Sequence, residues 1–174
     1  MKKITKFNSF FSDEMYSEVK EYVDTLFKTK PEKFNTSLEW ETGLVNRSAL
    51  ILRYRLTSDD VEMFQKIKKE MEKKIPYYIK EITVHVFPNL SYITWHSDKH
   101  VKAAFTVYLN EDWDMNWGGY LMYREDNEVK AIKPEKNLAV LQESGVNHCV
   151  TTVNVGADYR ISLQCFLTDK KTII

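Results

Sequence analysis

At 174 residues the chain is long enough for one domain with a full hydrophobic core and too short for two of ordinary size. Apolar residues make up 43%, with only 5 Gly and 4 Pro, which excludes collagen-like, low-complexity and disordered classes. The 25 basic and 25 acidic side chains cancel, so the one-signed field of a nucleic-acid binder or membrane-surface protein is missing and neither partner is expected. Two cysteines, Cys149 and Cys165, are too few for a disulfide framework or a zinc cluster. No window has the length of a signal peptide's apolar core or the ~20 apolar residues of a membrane span. A cytoplasmic protein is expected.

Ser12 or Asp13 caps a predicted helix running to about Lys28, because Met15, Val19, Tyr22, Val23 and Leu26 recur on one helical face. Lys30-Pro31 ends it. Between Ser37 and Thr57 a turn-like break at residues 43–48 and the strand-like run from Ala49 to Leu56 suggest a hairpin. Ser58-Asp59-Asp60 then caps a second helix with Val61, Phe64, Ile67, Met71 and Ile75 as its apolar stripe and Lys68 at the stripe's edge, and Pro76 closes it. From Tyr77 onward short runs rich in Val, Ile, Thr, Tyr and Phe alternate with Asn, Asp, Gly and Pro. They predict strands near 80–87, 91–96, 103–110, 119–124, 128–132, 137–142, 147–153 and 159–167. Strands without intervening helices imply antiparallel sheets, and helices grouped before them would cover one face of a sandwich or barrel. The expectation is an α+β chain, mainly β with N-terminal helices, in one domain: a helical support over 1–76 and a β core over 77–167.

Chemistry concentrates in Tyr92-Ile93-Thr94-Trp95-His96-Ser97-Asp98, where residues two apart on a strand share a face and can converge on one ion. The pair alone is weak evidence of a metal site. His148, on a later strand that a double-sheet fold can bring opposite, completes two histidines and one carboxylate. That set occupies one face of an octahedral ferrous ion and leaves the other positions open, as in non-haem iron oxygenases. Arg160 follows twelve residues later, a permanently charged planar fork suited to holding a buried carboxylate in one orientation.

With Phe87-Pro88, Tyr108-Leu109-Asn110-Glu111-Asp112-Trp113-Asp114, Gly118-Gly119 and Pro134 in the same order, the segment from Ile82 to Phe166 resembles the iron(II)- and 2-oxoglutarate-dependent dioxygenases, particularly the prolyl hydroxylase (prolyl 4-hydroxylase-like) branch. The resemblance implies a double-stranded β-helix core of jelly-roll, cupin-like form. It implies Fe(II), 2-oxoglutarate as cosubstrate, O2, ascorbate as reductant, and release of succinate and CO2 as a C–H bond is hydroxylated. His96, Asp98 and His148 would be the iron ligands, Arg160 the partner of the far carboxylate of 2-oxoglutarate, and Tyr108 a donor to the same carboxylate. Ser162 and Tyr92 are further candidates on the cosubstrate side. Two positions depart from the family: Phe87 stands where a cosubstrate-side tyrosine is usual, so that Tyr92 or Thr94 would supply the hydrogen bond, and Asn89-Leu90-Ser91 replaces a glycine-containing turn.

The substrate implied is proline, as a prolyl residue of a peptide or protein or as free L-proline. Trp95, Trp113 and Trp117 could wall a pyrrolidine ring, and Lys102 could meet a carboxylate or peptide carbonyl. Trp113 and Trp117 read first as packing around the Gly118-Gly119 turn and only second as substrate walls. His85 and His100 read as structural, and Cys149 as a packing residue facing away from His148. A cupin-like binding or sensor protein without turnover, a zinc hydrolase and an oxygenase of a non-prolyl substrate are the alternatives.

Overall fold

In the computed structural model, which describes residues 3–36 and 50–169, a short strand β1 (Ile4–Phe7) precedes helix α1 (Asp13–Thr29), strands β2 (Asn35–Thr36) and β3 (Leu52–Arg55), and helix α2 (Val61–Lys74). Eight strands follow: β4 (Tyr77–Phe87), β5 (Ile93–His96), β6 (Ala103–Tyr108), β7 (Leu121–Glu125), β8 (Glu128–Ile132), β9 (Ala139–Glu143), β10 (His148–Val150) and β11 (Arg160–Asp169). These are the eight expected, with shifted ends. The first arm of the expected hairpin, 37–42, and its turn at 43–48 lie outside the described residues; β3 falls in the expected second arm and pairs antiparallel with β2, which precedes the expected stretch. Strand β1 was not expected.

Helix α1 starts on a side-chain cap, and a capped 3-10 turn, Ser58–Asp60, leads into α2. Ser12 Oγ accepts from the Met15 N–H at 3.2 Å, and Thr57 and Asp60 form a capping box ahead of α2. Asp60 also accepts from the hydroxyls of Tyr22 on α1 and Tyr54 on β3, so one buried carboxylate ties three elements together. Helix α1 buries Tyr16, Val19, Val23 and Leu26, and α2 buries Met63, Ile67 and Met71. In α2 the stripe is rotated from expectation: Met63 faces inward and Val61 is exposed.

The strands form two antiparallel sheets, a large one in the order β1-β9-β6-β11-β4-β3-β2 and a small one in the order β5-β10-β7-β8. The helices cover one face of the large sheet. Ile82, Val84 and Val86 on β4, Phe105 and Val107 on β6, and Leu163, Cys165 and Leu167 on β11 join the helical stripes in one apolar core. Because side chains alternate along a strand, the intervening residues of β4, β6 and β11 point to the opposite face, toward the small sheet. There they line a cavity.

Candidate active site

Register sets the cavity wall. Across β6, β11 and β4, Tyr108 lies beside Ser162 and Ser162 beside His85; one step further Thr106, Gln164 and Thr83 align, and then Ala104, Phe166 and Glu81. All nine residues line a cavity of about 450 Å³ between the sheets. The small sheet contributes His96 at the end of β5 and His148 at the start of β10, which are direct register partners.

His96, Asp98 and His148 converge in the cavity wall. One ligand-capable atom from each lies within 4.8 Å of the others; His96 Nε2 is 3.9 Å and His148 Nε2 3.7 Å from the Asp98 carboxylate oxygens. Asp98 reaches this position from a turn beyond β5, and not from the strand pleat that its spacing suggested. In that turn the Lys99 N–H donates to the Ser97 carbonyl. Each imidazole is fixed from behind, His96 Nδ1 2.8 Å from the Thr94 carbonyl and His148 Nδ1 3.0 Å from the Val146 carbonyl. Donation from Nδ1 leaves the Nε2 lone pairs facing the cavity, the tautomer a metal requires. Burial, and then the neighbouring His96, push His148 down to about 4, so it is neutral at physiological pH. The three groups could hold a divalent ion on one face.

Arg160 lies deeper in the same cavity, 2% exposed. Its Nε donates to the Gly119 carbonyl at 2.8 Å, and its guanidinium is held between the rings of Phe87, 4.6 Å away, and Tyr108, 5.0 Å away. Among the described residues no carboxylate forms an ion pair with it. Burial pulls the guanidinium below its ordinary value, with Tyr108 opposing the shift. The Tyr108 hydroxyl is buried and makes no well-aligned hydrogen bond; burial raises its pKa, and the charge of the adjacent guanidinium, which lies within reach of the hydroxyl, partly offsets the rise. A buried cation beside an orphaned hydroxyl fits the far carboxylate of a small dicarboxylic acid. The residues present therefore suit 2-oxoglutarate as well as the iron. Phe87, at the position where the resemblance expects a tyrosine, lies against the Arg160 guanidinium and offers no hydroxyl there.

Of the other cosubstrate candidates, Ser162 is buried in the wall beside Tyr108, whereas Tyr92 is half-buried and outside it. The four expected substrate contacts all lie outside the cavity wall. Trp95, adjacent to His96, is exposed with the Arg124 guanidinium 5.2 Å from its ring. Lys102 is drawn to Asp169, 2.8 Å away on the surface. Trp113 and Trp117 meet edge to face at 5.4 Å and border a separate surface hollow with Asp112 and Asp114. Trp113 is buried in an apolar cluster, and its indole N–H donates to the Gly118 carbonyl at 2.9 Å. Cys149 is buried and absent from the cavity wall, as expected.

Arg53, Glu81, Thr83, Thr106, Gln142 and Gln164, which the sequence motifs do not single out, line the cavity, and so do His85 and His100, which read as structural. Gln142 is buried with its amide nitrogen 2.9 Å from His148 Nδ1. His85 is driven down to about 3 by burial and then by the charges of Arg53 and Arg160.

The sequence model of the 2OG-Fe(II) oxygenase superfamily matches residues 82–168, the stretch that carries both histidines, Asp98 and Arg160. The chain belongs to this superfamily and is a 2-oxoglutarate-dependent dioxygenase, a class that uses Fe(II), 2-oxoglutarate and O2. A comparison with curated protein sequences finds no match. The fold is similar to that of a Pseudomonas putida prolyl-4-hydroxylase, with a TM-score of 0.80 at 14% identity over 98% of this chain and 94% of that one. It is also similar to a prolyl hydroxylase from Trichoplax adhaerens in complex with a hypoxia inducible factor oxygen degradation domain peptide fragment, with a TM-score of 0.78 at 18% identity over 97% and 84% of the two chains. The non-heme alpha ketoglutarate dependent epimerase SnoN from nogalamycin biosynthesis shares the fold at a TM-score of 0.70 and 12% identity over 95% and 77%. The double-stranded β-helix expected from the sequence is the architecture of this chain. Among the described residues no helix is long and apolar enough to cross a membrane.

Proposed function

We propose that the chain hydroxylates proline, as a prolyl residue of a peptide or protein or as the free amino acid, with His96, Asp98 and His148 holding the iron. The observation that carries the site assignment is the meeting of three metal-competent groups with a buried Arg160 and an orphaned Tyr108 hydroxyl in one cavity. The likeness to two prolyl hydroxylase folds supports the substrate. Residues 77–167 would form the catalytic β-helix and 1–76 its support.

When bound, the iron would activate O2 with 2-oxoglutarate as the two-electron reductant, one oxygen atom going to the unactivated C–H bond and the other to succinate as CO2 leaves, with ascorbate keeping the metal reduced. The chain's own residues prepare the site. Thr94 and Val146 carbonyls hold the imidazoles with Nε2 forward, and Asp98 supplies the anionic ligand. Arg160, Tyr108 and Ser162 orient the cosubstrate from its far end. Ile93, Leu121 and Val150 present apolar surface around the ligands and limit water there.

The test is mass spectrometry of free L-proline and a panel of proline-containing peptides after incubation with Fe(II), 2-oxoglutarate and ascorbate. A gain of one oxygen on proline is expected. Succinate formation with no proline product, or oxygen on another residue, would overturn the prolyl reading while leaving the dioxygenase class in place. The epimerase with this fold makes that second outcome a concrete one.

A further inference from the structure

We propose that Trp113 is a positioning residue for the cosubstrate anchor, acting through the Gly118-Gly119 turn to fix the Arg160 guanidinium before 2-oxoglutarate binds. This rests on the assignment of Arg160 to the far carboxylate.

One peptide unit links the indole to the turn. Its carbonyl belongs to Gly118 and accepts from the Trp113 indole at 2.9 Å. Its N–H belongs to Gly119 and donates to the Thr152 carbonyl at 3.0 Å. A planar peptide gripped on both edges cannot rotate, although it joins the two residues with the most backbone freedom. Only the two rotations at the Gly119 Cα then remain to aim the next carbonyl, and that carbonyl accepts from Arg160 Nε at 2.8 Å.

Both glycines are required where they stand. At Gly118, with φ +66°, an added Cβ would sit 2.1 Å from the Thr152 carbonyl oxygen, and at Gly119, with φ +65°, one would sit 2.9 Å from Arg160 Cδ and 3.2 Å from Trp113 Cζ2. The turn is therefore in contact with both the indole and the arginine stem. Trp113 is braced in turn by Trp117 and packs with Phe87 and Val153 in a small apolar cluster. Phe87 is one of the two rings holding the guanidinium. An arginine side chain otherwise loses substantial rotamer freedom on binding a ligand. With Nε committed to Gly119 and both faces covered, that freedom is already lost in the cosubstrate-free chain, and the terminal nitrogens remain for the carboxylate.

The experiment compares Trp113→Phe with the unmodified protein, both loaded with Fe(II) under anaerobic conditions. Dissociation constants are measured by calorimetry for 2-oxoglutarate and for 2-oxobutyrate, which has the same chelating head and no far carboxylate. Loss of the indole N–H is expected to weaken 2-oxoglutarate about three- to tenfold, the scale of one net hydrogen bond, while 2-oxobutyrate stays within about twofold. Trp113→His carries Nε2 at the corresponding place in its five-membered ring and is expected to recover most of the preference, which also tests the idea if the phenylalanine variant does not fold. Equal weakening of both acids would reduce Trp113 to a packing role and overturn the proposal, as would no change in either.

Arg160→Met separates the layers of the argument. If it abolishes the preference for 2-oxoglutarate while Trp113→Phe does not reduce it, the anchor stands and the positioning role falls. If it leaves the preference intact, the anchor assignment itself falls and this proposal with it.

Discussion

Tyr108→Phe should move stability and cosubstrate affinity in opposite directions. The Tyr108 side chain is 0% exposed and its hydroxyl has no hydrogen-bond partner. An unsatisfied buried hydroxyl costs about 1–3 kcal/mol. Phenylalanine keeps the ring against Arg160, 5.0 Å from the guanidinium carbon, and deletes only the orphaned group. The cosubstrate-free variant should gain stability, and 1 kcal/mol corresponds to about 2–4 °C in melting temperature for a chain of this size. With 2-oxoglutarate bound, the hydroxyl would donate to a charged carboxylate, a bond of about 1.5–3 kcal/mol. The variant should accordingly bind 2-oxoglutarate at least about tenfold more weakly. Melting curves with and without the cosubstrate, on protein loaded with Mn(II) to prevent turnover, read both effects: the variant melts higher alone and gains less on addition of 2-oxoglutarate. A variant that melts lower and binds 2-oxoglutarate normally would mean that the hydroxyl already has its partner within the protein and plays no part in holding the cosubstrate.

Asp98→Ala removes the anionic member of the triad from a turn outside the sheets. Metal affinity should fall by more than the about 10–100-fold typical of losing an outer hydrogen-bond partner, and succinate production should cease with circular dichroism unchanged; wild-type turnover with iron would eliminate the triad assignment. Acid should destabilise the metal-free protein through His85 and His148, held down to about 3 and about 4 by burial. Above their ordinary value of about 6.5 both are neutral folded and unfolded, but below it the unfolded chain takes up protons that the native state refuses, so stability falls with pH by up to about 1.4 kcal/mol per unit and per histidine until the folded values are reached. Urea titrations at pH 7 and pH 5 should therefore differ by at least about 2 kcal/mol, and identical midpoints would show that neither imidazole is kept neutral. Leu90 is exposed with φ +68°, where a side chain costs about 1–2 kcal/mol. Leu90→Gly should raise stability by about 0.5–1 kcal/mol after the extra freedom of the unfolded glycine chain is deducted, and a lowered denaturation midpoint would contradict the strain.

The parts of the fold legible in the sequence are those with long periodic patterns. Both helices and the eight strands after Tyr77 carry repeats of 3.6 or 2 over enough residues to stand out. β1 stands alone ahead of a helix, away from the strand-rich stretch, and its partly buried residues acquire a partner only when Phe7 pairs with Ala139 at the edge of the large sheet. The triad was legible because the order of motifs, and not any one residue, narrows the chemistry. Its geometry was less so: the spacing of His96 and Asp98 suggested a shared strand face, whereas a turn carries the carboxylate inward. The aromatic residues misled for a definite reason. Trp95, Trp113 and Trp117 are close in sequence to the ligands or to Gly118-Gly119, but neighbours on a strand face opposite ways, and an indole with a carbonyl to meet is drawn into packing.

The residues that sequence reading missed share a pattern that could have found them. In β4 the sequence Glu81-Ile82-Thr83-Val84-His85-Val86-Phe87 alternates polar and apolar, as do Arg160-Ile161-Ser162-Leu163-Gln164-Cys165 in β11 and the Thr106-Val107-Tyr108 end of β6. In a two-layer fold such alternation usually marks a strand with one face in solvent. Here β11 lies between β4 and β6 in the middle of the large sheet, and a second sheet stands over the polar face. Polar side chains on three adjacent central strands are thereby enclosed instead of solvated, and burial of polar groups requires partners. Thr106 and Gln164 find each other at 2.6 Å and Thr83 meets Glu81 at 3.1 Å, while the Tyr108 hydroxyl finds none. The alternation that builds the hydrophobic core on the helix side therefore builds the cavity wall on the other. The place along that wall where hydrogen bonding is left incomplete, beside a buried cation, is where a ligand has to complete it.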